Sequence, residues 1–298
     1  MSTWILLRGL TRETRHWGGF PLQLRAAIPD SRILALELPG SGELNALASP
    51  TSIPGMASFC RESLARIGAA PPYVLVGMSM GAMVAAAWAE RHPGEVSACV
   101  LISSSFGSFS PLWHRLRPGA WPALLGILLA GTEERREQRI FALTCASPHG
   151  DPRVVAEWTA LRRARPVRWR NAYRQLLAAA RFRAPVRAPG PALVLAGAAD
   201  RLVDPRCSRA IASRWHCPLA VHPGAGHDLP LDDGAWVVGE IRKWWTALPA
   251  AMTMERQDPA TRIPGTPPDA IGILDGLGSP DRTQGKLQGC RSELNRMD

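Results

Sequence analysis

Residues 72–93 read Pro72-Tyr-Val-Leu-Val-Gly-Met-Ser79-Met-Gly-Ala-Met-Val-Ala-Ala-Ala-Trp88-Ala-Glu-Arg-His-Pro93. Tyr73 to Val76 are aromatic, branched and apolar, which predicts a buried strand. Met80 to Arg91 are strong helix formers, and His92-Pro93 stops them. Ser79 therefore falls at the bend between strand and helix. Gly77 and Gly81, which carry no Cβ, let the strand turn sharply and the helix pack close against it, so the serine hydroxyl is held exposed on a strained backbone.

The same pattern extends outward from this junction. Trp4 to Leu7 and Ile33 to Leu38 are further apolar runs, ended by Arg8-Gly9 and by Pro39-Gly-Ser-Gly42. Val96 to Ile102, Ala192 to Ala196 and Leu219 to His222 complete the predicted strands. Between them, helical spacing covers Trp17 to Ile28 and Ser52 to Ile67, where Ile53, Met56, Phe59, Cys60, Leu64 and Ile67 recur every three or four residues. Later helices are predicted from about Arg206 to Trp215 and over Trp236 to Leu248. Strands alternating with helices imply an α/β fold with a mostly parallel sheet covered on both faces.

The alternation stops between Phe106 and Gly190, where only helical segments occur: Trp121–Ala130, Glu133–Thr144, Asp151–Arg163 and Arg168–Ala180. This predicts a helical cap at 106–189 inserted into a core made of 1–105 and 190–249. Residues 250–298, rich in proline and glycine and without periodicity, are expected to be a disordered tail, with Leu274 to Leu277 as a candidate short docking segment.

The net charge of +10 is almost wholly arginine, since only Lys243 and Lys286 are lysines. No basic run is interleaved with stacking aromatics, so a nucleic-acid partner is not expected. Thirteen arginines against five carboxylates between Glu133 and Arg187 make the insertion basic. Such a surplus suits either solvated helix faces or an anion-attracting rim. Six cysteines lie scattered without metal or disulfide spacing and read as small core residues in a reducing compartment. With no basic leader and no apolar run of membrane-spanning length, the expected location is the cytoplasm.

Acyl transfer needs an oxygen nucleophile, a base, a carboxylate that orients the base, and donors aimed at the developing oxyanion. Ser79, Asp200 and His227 each follow a predicted strand, in the chain order serine, acid, histidine. His227 lies in the Gly224-Ala-Gly226 loop; His222 is its nearest rival, while His16, His92, His114, His149 and His216 suit helix ends or surface. Asp204 competes with Asp200 but is better placed to cap the helix that follows. Asp228, next to His227, is directed elsewhere by ordinary backbone geometry. The backbone N–H groups of Leu10 and Met80 are the expected oxyanion donors. No metal or organic cofactor is required.

Leu6-Leu-Arg-Gly-Leu10 with Trp17 downstream, Leu38-Pro-Gly-Ser-Gly42, Gly77-Met-Ser-Met-Gly81, Gly197-Ala-Ala-Asp200 and Gly224-Ala-Gly-His227-Asp resemble the α/β-hydrolase superfamily from about Trp4 to Trp245. They are similar in particular to small bacterial carboxylesterases that cleave pimeloyl carrier-protein methyl ester. The resemblance implies an α/β-hydrolase fold and serine esterase activity through an acyl-enzyme. The same triad also serves thioesterases, lactonases and acyltransferases, and non-catalytic relatives bind ligands on this fold. The chain departs from the family's usual pattern at Arg8, where His is customary, and at Glu37, where Asp is. Arg8 is suited either to hold a substrate carboxylate or phosphate or to pair with a buried acid. Trp113, Trp121, Leu124, Leu125 and Leu128 would line an acyl pocket or pack the insertion's own core. A small acyl ester is the expected substrate, an acidic acyl carrier protein a possible partner, and the chain a monomer or weak dimer.

Overall fold

The structure, a computed structural model, describes residues 2–147 and 151–249. His149, Cys290 and the segment 250–298 lie outside the described residues. Six parallel strands form one sheet: β1 (Ser2–Leu7), β2 (Ser31–Leu36), β3 (Tyr73–Met78), β4 (Val96–Ile102), β5 (Ala192–Gly197) and β6 (Leu219–His222), in the order β2-β1-β3-β4-β5-β6. All neighbouring pairs run parallel. The order reverses between β1 and β3, which leaves a crevice at their carboxyl ends, where ligands bind in open parallel sheets.

Alternation along β1 shows how the sheet is covered. Ile5 and Leu7 face one core with helices α2 (Ile53–Arg66), α3 (Met80–Arg91) and α9 (Arg206–Trp215). Trp4 and Leu6 face the other, with α1 (Phe20–Ala27) and α11 (Gly234–Ala247). Successive strand side chains point to opposite faces, so one six-residue strand contributes to both cores. The helix expected from Trp17 splits at Gly18-Gly19 into a 3-10 turn, Thr14–Trp17, followed by α1.

Between β4 and β5 come α4 (Leu112–Arg115), α5 (Trp121–Leu128), α6 (Glu133–Thr144), α7 (Pro152–Ala164) and α8 (Trp169–Arg181). Thr132 accepts from Arg135 N–H at 3.2 Å and Asp151 from Arg153 N–H at 2.8 Å, so α6 and α7 begin on side-chain caps. Two buried carboxamides of α8 fasten it to the loop after β2. Gln175 Nε2 donates to Ser41 Oγ at 3.1 Å and Ser49 Oγ at 3.3 Å; Asn171 Nδ2 donates to Leu47 O at 2.8 Å while its Oδ1 accepts from Ser49 N–H at 3.0 Å. Cys60, Cys99, Cys145 and Cys207 are buried, Cys217 is half-buried, and burial pushes the Cys60 and Cys99 thiols up to about 12.

Candidate active site

Ser79 links β3 to α3 with φ 54° and ψ −116°, a backbone that a residue with a Cβ adopts only under constraint. The constraint is visible on both sides. Ser79 N–H donates to Ile102 O at 2.8 Å, and the Ser104 hydroxyl donates to Ser79 O at 2.8 Å. A Cβ on Gly81 would land on the Leu7 carbonyl, and one on Gly77 would strike Gly81 and Ala82 backbone. The two glycines thus let α3 start directly against β1 and β3. Gly9 completes the turn's surroundings: a Cβ there would sit 3.2 Å from Ser79 Cβ and 3.7 Å from its Oγ.

The loop containing Gly9 carries the expected oxyanion donor. Thr11 N–H is taken by Gln175 Oε1 at 2.8 Å, whereas Leu10 N–H has no acceptor among the described residues. Met80 is the first residue of α3, so its N–H has no intrahelical partner. Both donors border the serine.

Asp200 follows β5 and His227 follows β6, and the structure brings them together. His227 Nδ1 and Asp200 Oδ2 are 2.7 Å apart, with both side chains buried. The carboxylate's other oxygen accepts from Leu202 N–H at 2.8 Å and Val203 N–H at 2.9 Å, which fixes its plane. Burial would lower the His227 pKa, but the charge and hydrogen bond of Asp200, helped by Asp228, outweigh it and raise the pKa above the ordinary value. The oriented nitrogen is Nδ1, and Nε2 has no hydrogen-bond partner among the described residues. No hydrogen bond joins Ser79 Oγ to His227 among the described residues.

The rival residues are engaged elsewhere. Asp204 accepts from Arg206 N–H at 2.9 Å at the start of α9 and pairs with the Arg206 guanidinium at 2.7 Å. His222 Nδ1 accepts from Ala225 N–H at 2.8 Å, so it shapes the loop that carries His227.

Arg8 makes the second of the two contacts its position suits, a pair with a buried acid. Its guanidinium is buried and forked onto Asp228, at 2.7 Å and 3.2 Å, with Met78 Sδ at 3.1 Å and the Trp17 ring centroid 4.9 Å away. It joins the loop after β1 to the residue beside His227. Breaking such a buried pair typically costs about 3 to 5 kcal/mol. Asp228 was legible only as a residue directed away from His227; its partner lies 220 positions off in the sequence.

Trp113 and Trp121 are 63% and 59% exposed, and Leu125 and Leu128 are 56% and 76% exposed. A second buried ionic group lies between the loop after β1 and the insertion. Arg12 meets Glu137 at 2.8 Å, Arg162 also holds Glu137, and Arg12 stacks 4.0 Å from the Trp158 ring centroid. The insertion also reaches the histidine loop directly: Asp228 N–H donates to Thr144 O at 2.8 Å, and a Cβ on Gly226 would lie 2.8 Å from that oxygen.

Residues 4–240 match the alpha/beta hydrolase family, and the chain belongs to it. A thermophilic esterase from Thermogutta terrifontis is 20% identical, with 83% of this chain and 90% of that chain covered at a TM-score of 0.65. The esterase RhEst1 from a Rhodococcus species is 19% identical over 83% and 91% of the two chains, TM-score 0.64. A hydrolase from Pseudomonas aeruginosa is 17% identical over 83% and 90%, TM-score 0.66. These likenesses show a shared fold. An uncharacterised protein of Schizosaccharomyces pombe is 28% identical over 96 residues, which is 32% of this chain and 18% of that protein's length.

Proposed function

We propose that the chain is a serine hydrolase that cleaves a carboxylic ester through Ser79, His227 and Asp200. The observation that carries this reading is the buried His227–Asp200 contact of 2.7 Å, which fixes one ring nitrogen on an acid. It stands with a serine held at φ 54° beside the Met80 N–H at the start of α3, with the loop after β1 that carries the Leu10 N–H packed against it through Gly9.

In the proposed reaction His227 Nε2 takes the Ser79 proton as Oγ bonds to the ester carbonyl carbon. The carbonyl oxygen becomes the oxyanion and receives the Leu10 and Met80 N–H groups. His227 returns the proton to the departing alkoxide, the C–O bond breaks, and an acyl-serine remains. Water, deprotonated by the same imidazole, then releases the acid. Asp200 orients the ring and offsets the charge it gains. Residues 106–189 act in this reading as a cap beside the site.

Ser79→Ala is expected to lower p-nitrophenyl butyrate turnover by roughly 10⁴ to 10⁶-fold. A fluorophosphonate probe should label the wild-type chain and not this variant. Turnover that survives the substitution would remove Ser79 from the chemistry. A panel of esters, thioesters and lactones, run on both proteins, then assigns the bond cleaved.

A further inference from the structure

The surplus of positive charge in this chain is confined to one part of it. Residues 106–189 contain fifteen arginines and five carboxylates, whereas the rest of the chain holds twenty basic and twenty acidic residues. The whole net charge of +10 therefore sits in the helical insertion. Its first third is without acid: from Val96 to Thr132 there is no Asp or Glu.

That acid-free stretch also exposes a run of large apolar side chains. In α5, Trp121, Leu125 and Leu128 recur at helical spacing and are 59%, 56% and 76% exposed; Leu129 follows at 72%. Leu112 and Trp113 of α4, only five residues before α5, are 62% and 63% exposed. A helix apolar on all sides is ordinarily buried, and an apolar patch with a charged border marks a binding surface. The other side of α5 rests on α6, where Arg136 and Arg139 donate to the carbonyls of Ile127, Ala130 and Gly126. Guanidinium groups thus stand behind and beside the stripe.

A second copy of the chain would bring the same surplus of positive charge against itself. An acidic carrier protein would answer the arginines but leaves the outward tryptophan and leucine stripe unexplained. A lipid surface with anionic headgroups answers both, because apolar side chains enter the acyl boundary while arginines meet the headgroups. Among the described residues no helix is long and apolar enough to cross a membrane, which fits a helix that lies on the surface. The location is also informative. Arg117, four residues before Trp121, donates through its guanidinium to Asp200 O at 2.6 Å and through its N–H to Leu202 O at 3.0 Å. The apolar face is therefore anchored beside the loop that holds Asp200.

We propose that the exposed face of α4 and α5 is a docking surface for an anionic lipid bilayer. The inference concerns binding alone, so it stands or falls separately from the serine hydrolase reading. The full chain is mixed with sedimentable vesicles of phosphatidylcholine, with and without about one third phosphatidylglycerol. Affinity for the anionic vesicles is expected to exceed that for the neutral ones by about tenfold or more and to fall by a similar factor in about 0.5 M salt. The double variant Leu125→Glu/Leu128→Glu, checked for an unchanged circular dichroism spectrum, should lose about tenfold in affinity. Absence of sedimentation with anionic vesicles, or equal binding to both vesicle types, overturns the proposal. So does a double variant that binds like wild type, since the wild-type lipid and salt arms do not depend on the variant's folding. A wild-type dimer dispersed by the two leucine substitutions would give the face to a second copy instead, and capture of an acidic carrier protein lost in the same variant would give it to that partner.

Discussion

His227 is pulled in two directions, and which pull prevails sets where the proposed enzyme works. Burial favours the neutral ring, while the Asp200 charge and hydrogen bond and the nearby Asp228 favour the protonated one; Arg8, beyond Asp228, opposes them. The balance raises the pKa, so the ring keeps its proton at a pH where free histidine, near 6.5, would have lost it. A general base must be unprotonated in the free enzyme. The acid limb of kcat/KM for p-nitrophenyl butyrate is therefore expected to have its midpoint above about 6.5. A midpoint at or below that value would mean that another group controls the rate. Glu37 makes a second residue-scale case. It is buried, its Oε1 accepts from Thr14 N–H at 3.1 Å and Thr14 Oγ1 at 2.8 Å, and its Oε2 has no partner among the described residues. Burial raises its pKa from 4.5 to about 7 in spite of the Thr14 hydrogen bonds. The unfolded chain gives up this proton near 4.5 and the folded one near 7, so in between the folded state binds more protons. Stability must fall as pH rises across that interval, by about 3 kcal/mol at most. Glu37→Gln should flatten this part of the profile, seen as a smaller drop in Tm between about pH 5 and pH 7. A variant whose Tm follows wild type across that range would show that Glu37 titrates normally.

At the scale of elements, the junction of β3 and α3 carries the most exacting geometry. Gly81→Ala would place a methyl carbon on the Leu7 and Arg8 carbonyls, which are backbone and cannot swing away. Either α3 moves off β1 or the nucleophile turn is rebuilt. The expected cost is about 1 to 3 kcal/mol or more in urea unfolding, with Ser79 no longer aligned to its donors. Wild-type stability in that variant would place the helix farther from β1 than it lies here. This junction was legible in the sequence because a short continuous apolar run, a glycine-flanked serine and a run of helix formers stopped by His92-Pro93 leave few alternatives. The strands flanking it read as well, each being a short apolar run, closed by Arg8-Gly9 after β1 and by a serine run after β4. Four-residue helices were not legible: α4 and α10 (Leu229–Asp232) are too short to show any period. Nor was the orientation of α5, since a helix apolar on every side gives no sign of which face meets the protein. The Arg8–Asp228 pair was unreadable for a different reason. Its halves meet only because β1 and β6 end at the same edge of the sheet, and nothing local in either segment records the other.

Across the whole molecule, the surplus of charge lies beside the candidate site. The insertion that carries the net +10 touches the histidine loop through Thr144 and the acid loop through Arg117, while the remaining chain is electrically balanced. A negatively charged ester approaching Ser79 thus meets a field of one sign, and a neutral ester of equal size meets none that steers it. Several of the arginines are already paired, among them Arg162 with Glu137 and Arg165 with Glu43, which reduces the field without cancelling it. Screening separates steering from contact: the Debye length shrinks from about 30 Å at 0.01 M to roughly 4 Å near 0.5 M. Raising salt over that range should lower kcat/KM for a p-nitrophenyl hemiester of a dicarboxylic acid several-fold, acting through the association step. The same titration with p-nitrophenyl butyrate should change kcat/KM little. Parallel salt curves for the two esters would show that the insertion's arginines act on solvent and neighbouring helices and do not reach the substrate on its way in.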